Sequence, residues 1–212
     1  MKPRKIPRTR SGSRQRLYRR NYVHDLARFR VRIIEEDKIG GLLMQSIIVP
    51  GHPTHEGTLI EAVSIPWFEL INRMKCDPAF MHQIDWRKWE EIVAGAYRQA
   101  GFDEVVLTPR SGDLGRDVIA TKRGVGSIRI LDQVKKYKPG HLVTANEVRA
   151  MLGVVTADAG TSKGVITTTS QFAPGVESDA LLKPFIPYRI ELKSGNVLLK
   201  WLQEIASKKS VS

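Results

Sequence analysis

The chain has one cysteine in 212 residues, Cys76, so no internal disulfide can form within it. That fits a reducing cytoplasm better than an oxidising compartment. No stretch reaches the roughly 18 unbroken apolar residues that a membrane-spanning helix needs. None combines a basic start, an apolar middle and a small-residue cleavage site. The expectation is a cytoplasmic protein with no membrane partner. Histidine is scarce, at five residues. His52, His55 and Glu56 run in the order His-x-x-His-Glu, not the His-Glu-x-x-His order that sets two imidazoles on one helical face. With Pro50 and Pro53 close by, the stretch reads as a surface loop.

Acid is missing from the first twenty residues, which hold nine of the bases: Lys2, Arg4, Lys5, Arg8, Arg10, Arg14, Arg16, Arg19 and Arg20. The whole chain nets +12, so by subtraction the rest nets only +3. Residues 1–28 are therefore expected to form a flexible basic arm. Such an arm can grip phosphate by counterion release, or serve as a solvated tail. A targeting segment fits less well, because Pro3 and Pro7 spoil an amphipathic helix. Residues 29–84 read as a small β-rich region of unknown role. Phe29–Ile33 and Leu42–Val49 alternate as strands around a turn at Lys38-Ile39-Gly40-Gly41. A third strand is expected at Leu59–Val63 and a short helix at Pro66–Met74, with Pro66 in its first turn.

A second domain is expected over residues 85–207. Asp85 reads as an N-cap and Gly101 as the glycine closing a helix across Trp86–Ala100. Its apolar stripe is Trp86, Trp89, Val93, Ala96 and Ala100. Glu91 falls opposite that stripe and Glu90 at its border. Strands are expected at Glu104–Thr108, Arg116–Thr121 and Ser127–Tyr137. Thr144-Ala145-Asn146-Glu147 matches a capping box that opens a second helix. A strand at Lys163–Thr169, a short helix, a strand at Pro187–Leu192 and a C-terminal helix complete an α/β sandwich on one mixed sheet.

The densest chemistry lies in Gly112-Asp113-Leu114-Gly115-Arg116-Asp117 and Asp132-Gln133-Val134-Lys135. Side chains two apart on a strand share a face, about 7 Å apart. Gln133 and Lys135 therefore point the same way, and Asp117 can meet them if the strands pair. A carboxylate, an amide oxygen and an ammonium together suit metal-dependent phosphodiester chemistry. The plainer reading is a turn-forming aspartate beside solvated lysines.

These motifs, in this order, resemble the PD-(D/E)XK nuclease superfamily, and within it the catalytic domain of Mrr-type (type IV) restriction endonucleases. The resemblance spans residues 85–206. It rests on Trp89-Glu90 opening a helix that ends at Gly101-Phe102, on the Gly-Asp-x-Gly-x-Asp turn, on Gln133-Val134-Lys135, and on Thr168-Thr169-Ser170-Gln171-Phe172. It implies a restriction-endonuclease-like αβββαβ sandwich. It further implies catalytic roles for Asp117, Gln133, Lys135 and Glu90. Mg²⁺, with Mn²⁺ as a substitute, would be held by Asp117, Gln133, Glu90 and the Val134 carbonyl. Lys135 would position or deprotonate the attacking water, and Asp113 would shape the turn. Lys136, Lys138, Arg116, Arg4, Lys5, Arg8 and Arg10 are the expected nucleic-acid contacts. The implied activity is that of an endonuclease cutting double-stranded DNA in restriction of foreign DNA, modified DNA included; cutting both strands would suit a homodimer. The alternative is an inactive nuclease-fold module that binds DNA or RNA.

Overall fold

The computed structural model describes residues 40–112 and 114–208. The arm, with Arg4, Lys5, Arg8 and Arg10, and the expected strand Phe29–Ile33 lie outside the described residues, as does Asp113. The described residues from Gln45 to Lys208 belong to one compact unit. No helix among the described residues is long and apolar enough to cross a membrane.

Past the helical residues 40–44, the described residues form nine strands and four α-helices. They are β1 (Ile48–Pro53), β2 (Thr58–Val63), α1 (Ile65–Cys76), a 3₁₀ turn (Pro78–His82), α2 (Trp86–Gln99), β3 (Glu104–Leu107), β4 (Val118–Gly124), β5 (Gly126–Lys135), β6 (Leu142–Val143), α3 (Ala145–Ala157), β7 (Lys163–Thr168), β8 (Gln171–Phe172), β9 (Ile190–Lys193) and α4 (Gly195–Lys208). Seven strands form one sheet in the order β1-β2-β3-β4-β5-β7-β9. Pairing is antiparallel from β1 to β5 and parallel through β5, β7 and β9. The sheet is therefore mixed, and the run α2-β3-β4-β5-α3-β7 is the expected αβββαβ core. Strands β6 and β8 make a separate parallel pair.

The two faces of the sheet are covered by different helices. Register sets Val105, Val118, Ala120 and Asp132 on one face and Val106, Ile119, Leu131 and Ile166 on the other, because alternate strand residues point to opposite sides. The second set packs with Val148, Met151 and Val155 of α3. Helix α2 brings the fully buried Trp89, Val93 and Ala96. Asp85 caps α2 by accepting from Lys88 N at 2.9 Å. Thr144 and Glu147 form the complete capping box of α3.

Several expectations shift. Residues 40–44 are helical, so Leu42–Val49 is not a strand. The first described strand begins at Ile48 and runs through Pro50, Gly51 and Pro53, which had read as loop. An edge strand tolerates such residues because one side of its backbone needs no partner, and the register slips twice along β1. Strands β1 and β2, from the expected 29–84 region, hydrogen-bond onto the same sheet as β3. Trp86 is half-exposed rather than core, and Glu90, placed at the border, is buried. Residues 174–189 form turns instead of a short helix. The Thr168–Phe172 strand end divides, with β8 turning away to pair with β6.

Candidate active site

Strand β4 starts at Val118 opposite Asp132 of β5. One residue earlier, the same register sets Asp117 opposite Gln133. Asp117 N donates to Asp132 O at 2.9 Å, which prolongs the ladder by one bond. The next donor on β5, Val134 N, is met by a side chain. It is the Asp117 carboxylate, with Oδ2 accepting at 2.7 Å. A carboxylate thus sits where two antiparallel strands part, aimed at the Gln133-Val134-Lys135 backbone. In an extended strand a residue's N–H and C=O point to the same edge, so the Val134 carbonyl also faces the opening beyond β4.

Gln133 and Lys135 are half-buried on the α3 face. Gln133 Nε2 lies 3.7 Å from the position a Cβ on Gly115 would take, so the amide borders the glycine turn that leads into Asp117. Gly115 has φ +77 and Leu114 has φ 55, both in the left-handed region that lets the turn fold back. Lys135 Nζ is 3.4 Å from Glu147 Oε1 at the first turn of α3. Tyr137 OH donates to the same oxygen at 2.5 Å. Burial alone would raise the Glu147 carboxyl. The Tyr137 and Thr144 hydrogen bonds and the Lys135 charge outweigh it and bring that pKa down to about 2. Burial, helped by Glu147, pushes the Tyr137 hydroxyl up to about 12.

Glu90 reaches the neighbourhood from α2. Its Oε2 accepts from Arg87 at 2.6 Å, and the same guanidinium nitrogen donates to Thr108 O at 3.1 Å. Thr108 Oγ1 donates onward to Arg116 O and Asp117 O. Glu90 is therefore tied to the Asp117 turn through Arg87 and Thr108, and one of its oxygens is engaged by a cation. No group of three His, Cys, Asp or Glu side chains that could hold a metal ion gathers among the described residues, His52, His55 and Glu56 included.

Asp117, Gln133 and Lys135 are brought together at one strand end. Lys136 and Lys138 follow directly, Lys138 exposed. Arg116, an expected nucleic-acid contact, sits in an ion-pair cluster. Its guanidinium lies 3.0 Å from Asp158 and 3.6 Å from Glu56, and only 17% of its side chain is exposed. Arg129 joins the same cluster at 2.6 Å from Glu56. Arg116 thus ties the turn, the hairpin and the end of α3 together.

Three polar residues near the site carried no catalytic role in the sequence reading. Arg87 had no local pattern to mark it. Glu147 was read only as a cap. Asp132 did leave a signal, because it interrupts the apolar phase of Ile128, Ile130 and Val134. It is fully buried and accepts from Tyr97 OH at 2.8 Å and Thr167 Oγ1 at 2.9 Å.

Residues 81–202, more than half the chain, match the model of the Mrr catalytic domain, described as a restriction endonuclease. The chain belongs to this Mrr restriction endonuclease family. Two solved structures similar to the Mrr chain are the MspJI restriction endonuclease in complex with a 27-mer oligonucleotide and the DNA modification-dependent restriction endonuclease AspBHI. The first is 17% identical with a TM-score of 0.41, the second 16% identical with a TM-score of 0.40, and each match covers 69% of this chain. A third, a protein of unknown function, is 15% identical over 59% of this chain and 67% of its own, with a TM-score of 0.45. The chain spans only 35% of the MspJI chain and 41% of the AspBHI chain. No curated protein matches it.

Proposed function

We propose that this Mrr-family chain is a metal-dependent endonuclease that hydrolyses phosphodiester bonds of double-stranded DNA, acting in the cytoplasm in restriction of foreign DNA. The observation that carries the reading is the Asp117 carboxylate bonded to the Val134 N–H at the point where β4 and β5 part. That contact collects a carboxylate, an amide, a backbone carbonyl and the Lys135 ammonium at one strand end. Residues from Gln45 on serve as the nuclease unit in this reading, with the basic arm of residues 1–28 as an added grip on phosphate.

The donor set suits a hard divalent cation. Asp117, the Gln133 amide oxygen and the Val134 carbonyl are all oxygen donors, and Mg²⁺ keeps several waters when protein ligands are few. Glu90 would add a second carboxylate, directly or through water, against its pull toward Arg87. Mg²⁺ when bound would supply positive charge to the phosphate oxygens. Lys135 would activate the attacking water and steady the charge that gathers on phosphorus, a role worth about 10²–10³ in rate for a single well-placed donor.

A purified sample should nick supercoiled plasmid with Mg²⁺ or Mn²⁺, and EDTA should stop it. Lys135→Ala should lower nicking by about 10²-fold or more while duplex binding persists. Nicking unchanged in Lys135→Ala would remove the role assigned to that lysine. A second reading is favoured by the Arg87–Glu90 pair: with one carboxylate committed, the fold would bind nucleic acid without cutting it. Binding of DNA or RNA with no nicking in either metal would select that reading. Removing residues 2–20 should weaken binding and flatten its salt dependence; equal salt slopes would separate the arm from phosphate contact.

A further inference from the structure

Glu147 uses its two carboxylate oxygens for different purposes. Oε2 completes the capping box, accepting from Thr144 N at 2.8 Å and Thr144 Oγ1 at 2.9 Å. That function needs one oxygen, and glutamine performs it equally well. Oε1 points to the strand end instead, 3.4 Å from Lys135 Nζ and 2.5 Å from Tyr137 OH. Lys135 ends β5 and Tyr137 lies two residues beyond, and both side chains reach this one oxygen. The ammonium lies 5.9 Å from the Tyr137 ring centroid. His141 packs on the same ring, with centroids 4.1 Å apart. The lysine therefore has an anion at its tip and an aromatic wall along its flank. Both charges are largely shielded, at 18% and 24% side-chain exposure, so their attraction is not that of a freely solvated surface pair.

We propose that Glu147 is a positioning residue for Lys135: from the first turn of α3 it fixes the direction in which the ammonium meets the scissile phosphate, with Tyr137 fixing the carboxylate in turn. The inference rests on the nuclease reading above. A free lysine carries about 2 kcal/mol of rotamer entropy. Fixing it in place removes that cost from the reaction, and small misplacements of a reacting group are costly in rate. The same contact makes the N-terminus of α3 part of the active-site frame. The helix is hydrogen-bonded to the acid through Thr144, and the acid to the lysine strand through Tyr137.

The sharp test is Glu147→Gln in the full chain, because it keeps the cap and removes the charge. Wild type, Glu147→Gln, Lys135→Ala and the double variant are compared for plasmid nicking over a range of Mg²⁺ and DNA concentrations. Thermal melting and duplex binding in EDTA are measured alongside. Glu147→Gln should melt somewhat below wild type, because the stabilising charge is lost, and should bind DNA with wild-type affinity, while kcat falls about 10-fold and KM stays level. The Mg²⁺ concentration for half-maximal rate should not move. The double variant should be no worse than Lys135→Ala, since residues that act as a unit are not additive. Tyr137→Phe, which keeps the ring and loses the donor, should show a smaller fall of a few fold. Full activity in Glu147→Gln beside a slowed Lys135→Ala overturns the positioning role and leaves the nuclease reading intact. A raised Mg²⁺ requirement overturns it in favour of a metal ligand, and a lowered melting point with kcat unchanged in favour of a purely structural cap. A wild type that cuts nothing in either metal removes the nuclease reading, and this inference with it.

Discussion

On one face of β5, Gln133 and Lys135 stand half-buried beside Asp117 at the end of the strand. On the other face, one residue away, Asp132 is fully buried against Tyr97 and Thr167. The buried side is heavily furnished. Lys193, 5% exposed, rests its ammonium 3.7 Å from the Trp201 ring centroid, and the Tyr97 ring packs edge-on against Phe102 and Trp201. Burial raises the Asp132 carboxyl to about 7, against the pull of Lys193 and of the Tyr97 and Thr167 hydrogen bonds; the Asp117 charge adds to the rise. Burial also lowers the Lys193 ammonium, while Asp132 opposes. The two faces thus hold polar groups of similar chemistry in opposite settings. Where the groups are sealed in, their partners are inside the protein and their effect is on folding. Where they open to solvent, the proposed function places their effect on chemistry instead.

The largest expected effect is a crossover between two alanine substitutions on β5. Lys135→Ala should lower nicking by about 10²–10⁴, the span of a lost acid–base or charge-stabilising group, and leave the unfolding midpoint nearly unchanged. Asp132→Ala should behave in reverse. It strands the Tyr97 and Thr167 hydroxyls and removes the charge facing Lys193, so stability should fall by about 3 kcal/mol. Activity per folded molecule should hold. Urea unfolding and nicking rates on both variants check the pattern. A Lys135→Ala variant that unfolds early, or an Asp132→Ala variant that is fully stable yet inactive, would dissolve the distinction between the faces.

A smaller effect sharpens the same contrast through pH. A carboxyl whose folded pKa lies above its unfolded value binds its proton more tightly when folded. Its contribution is greatest at low pH and is lost as pH rises from about 4 to about 7. Glu147 and Asp158 have the opposite sign, because their folded values are lowered and their contributions fade as pH falls. Asp132→Asn removes only the first dependence. Stability should be compared in EDTA at about pH 4.5 and about pH 8. Relative to the variant, wild type should lose about 2–4 kcal/mol on going up, taking about 1.4 kcal/mol per pKa unit as an upper limit. A difference that is flat with pH, or of the opposite sign, would mean that Asp132 stays ionised in the fold beside Lys193.

The contrast also explains what could be read from the chain. Local rules worked where the cause was local. Asp85 and Thr144 cap helices because their side chains reach N–H groups three residues on. Asp117, Gln133 and Lys135 could be grouped because strand alternation and one register fix their common side. Partners across elements were illegible. Nothing local to Arg116 showed that the turn would carry its charge to Glu56 and Asp158. Glu147 read as a cap because nothing in the spacing from 135 to 147 shows that the helix folds back on the strand. Glu90 was placed at a border by its helical angle, but the packing of α2 and its Arg87 partner decide its burial. Strand β1 was hidden by its prolines, which an edge position accommodates.

The smallest expected effect isolates one bond on the sealed face. Tyr97→Phe keeps the ring that meets Phe102 and Trp201 edge-on and removes the O–H that reaches Asp132 Oδ2. Thr167 Oγ1 still donates to that oxygen at 2.9 Å, so the carboxyl does not lose every partner. The cost should therefore stay near that of one net hydrogen bond, about 1 kcal/mol, instead of a full buried-charge penalty. It should also be greater at about pH 8 than at about pH 4.5, because the ionised carboxylate accepts the stronger bond. Nicking should be unchanged, since Tyr97 faces away from the side that carries Gln133 and Lys135. A Tyr97→Phe variant that folds normally but cuts slowly would show that the buried face reaches the site through the Asp132–Asp117 backbone bond, and the division of labour between the two faces would have to be redrawn.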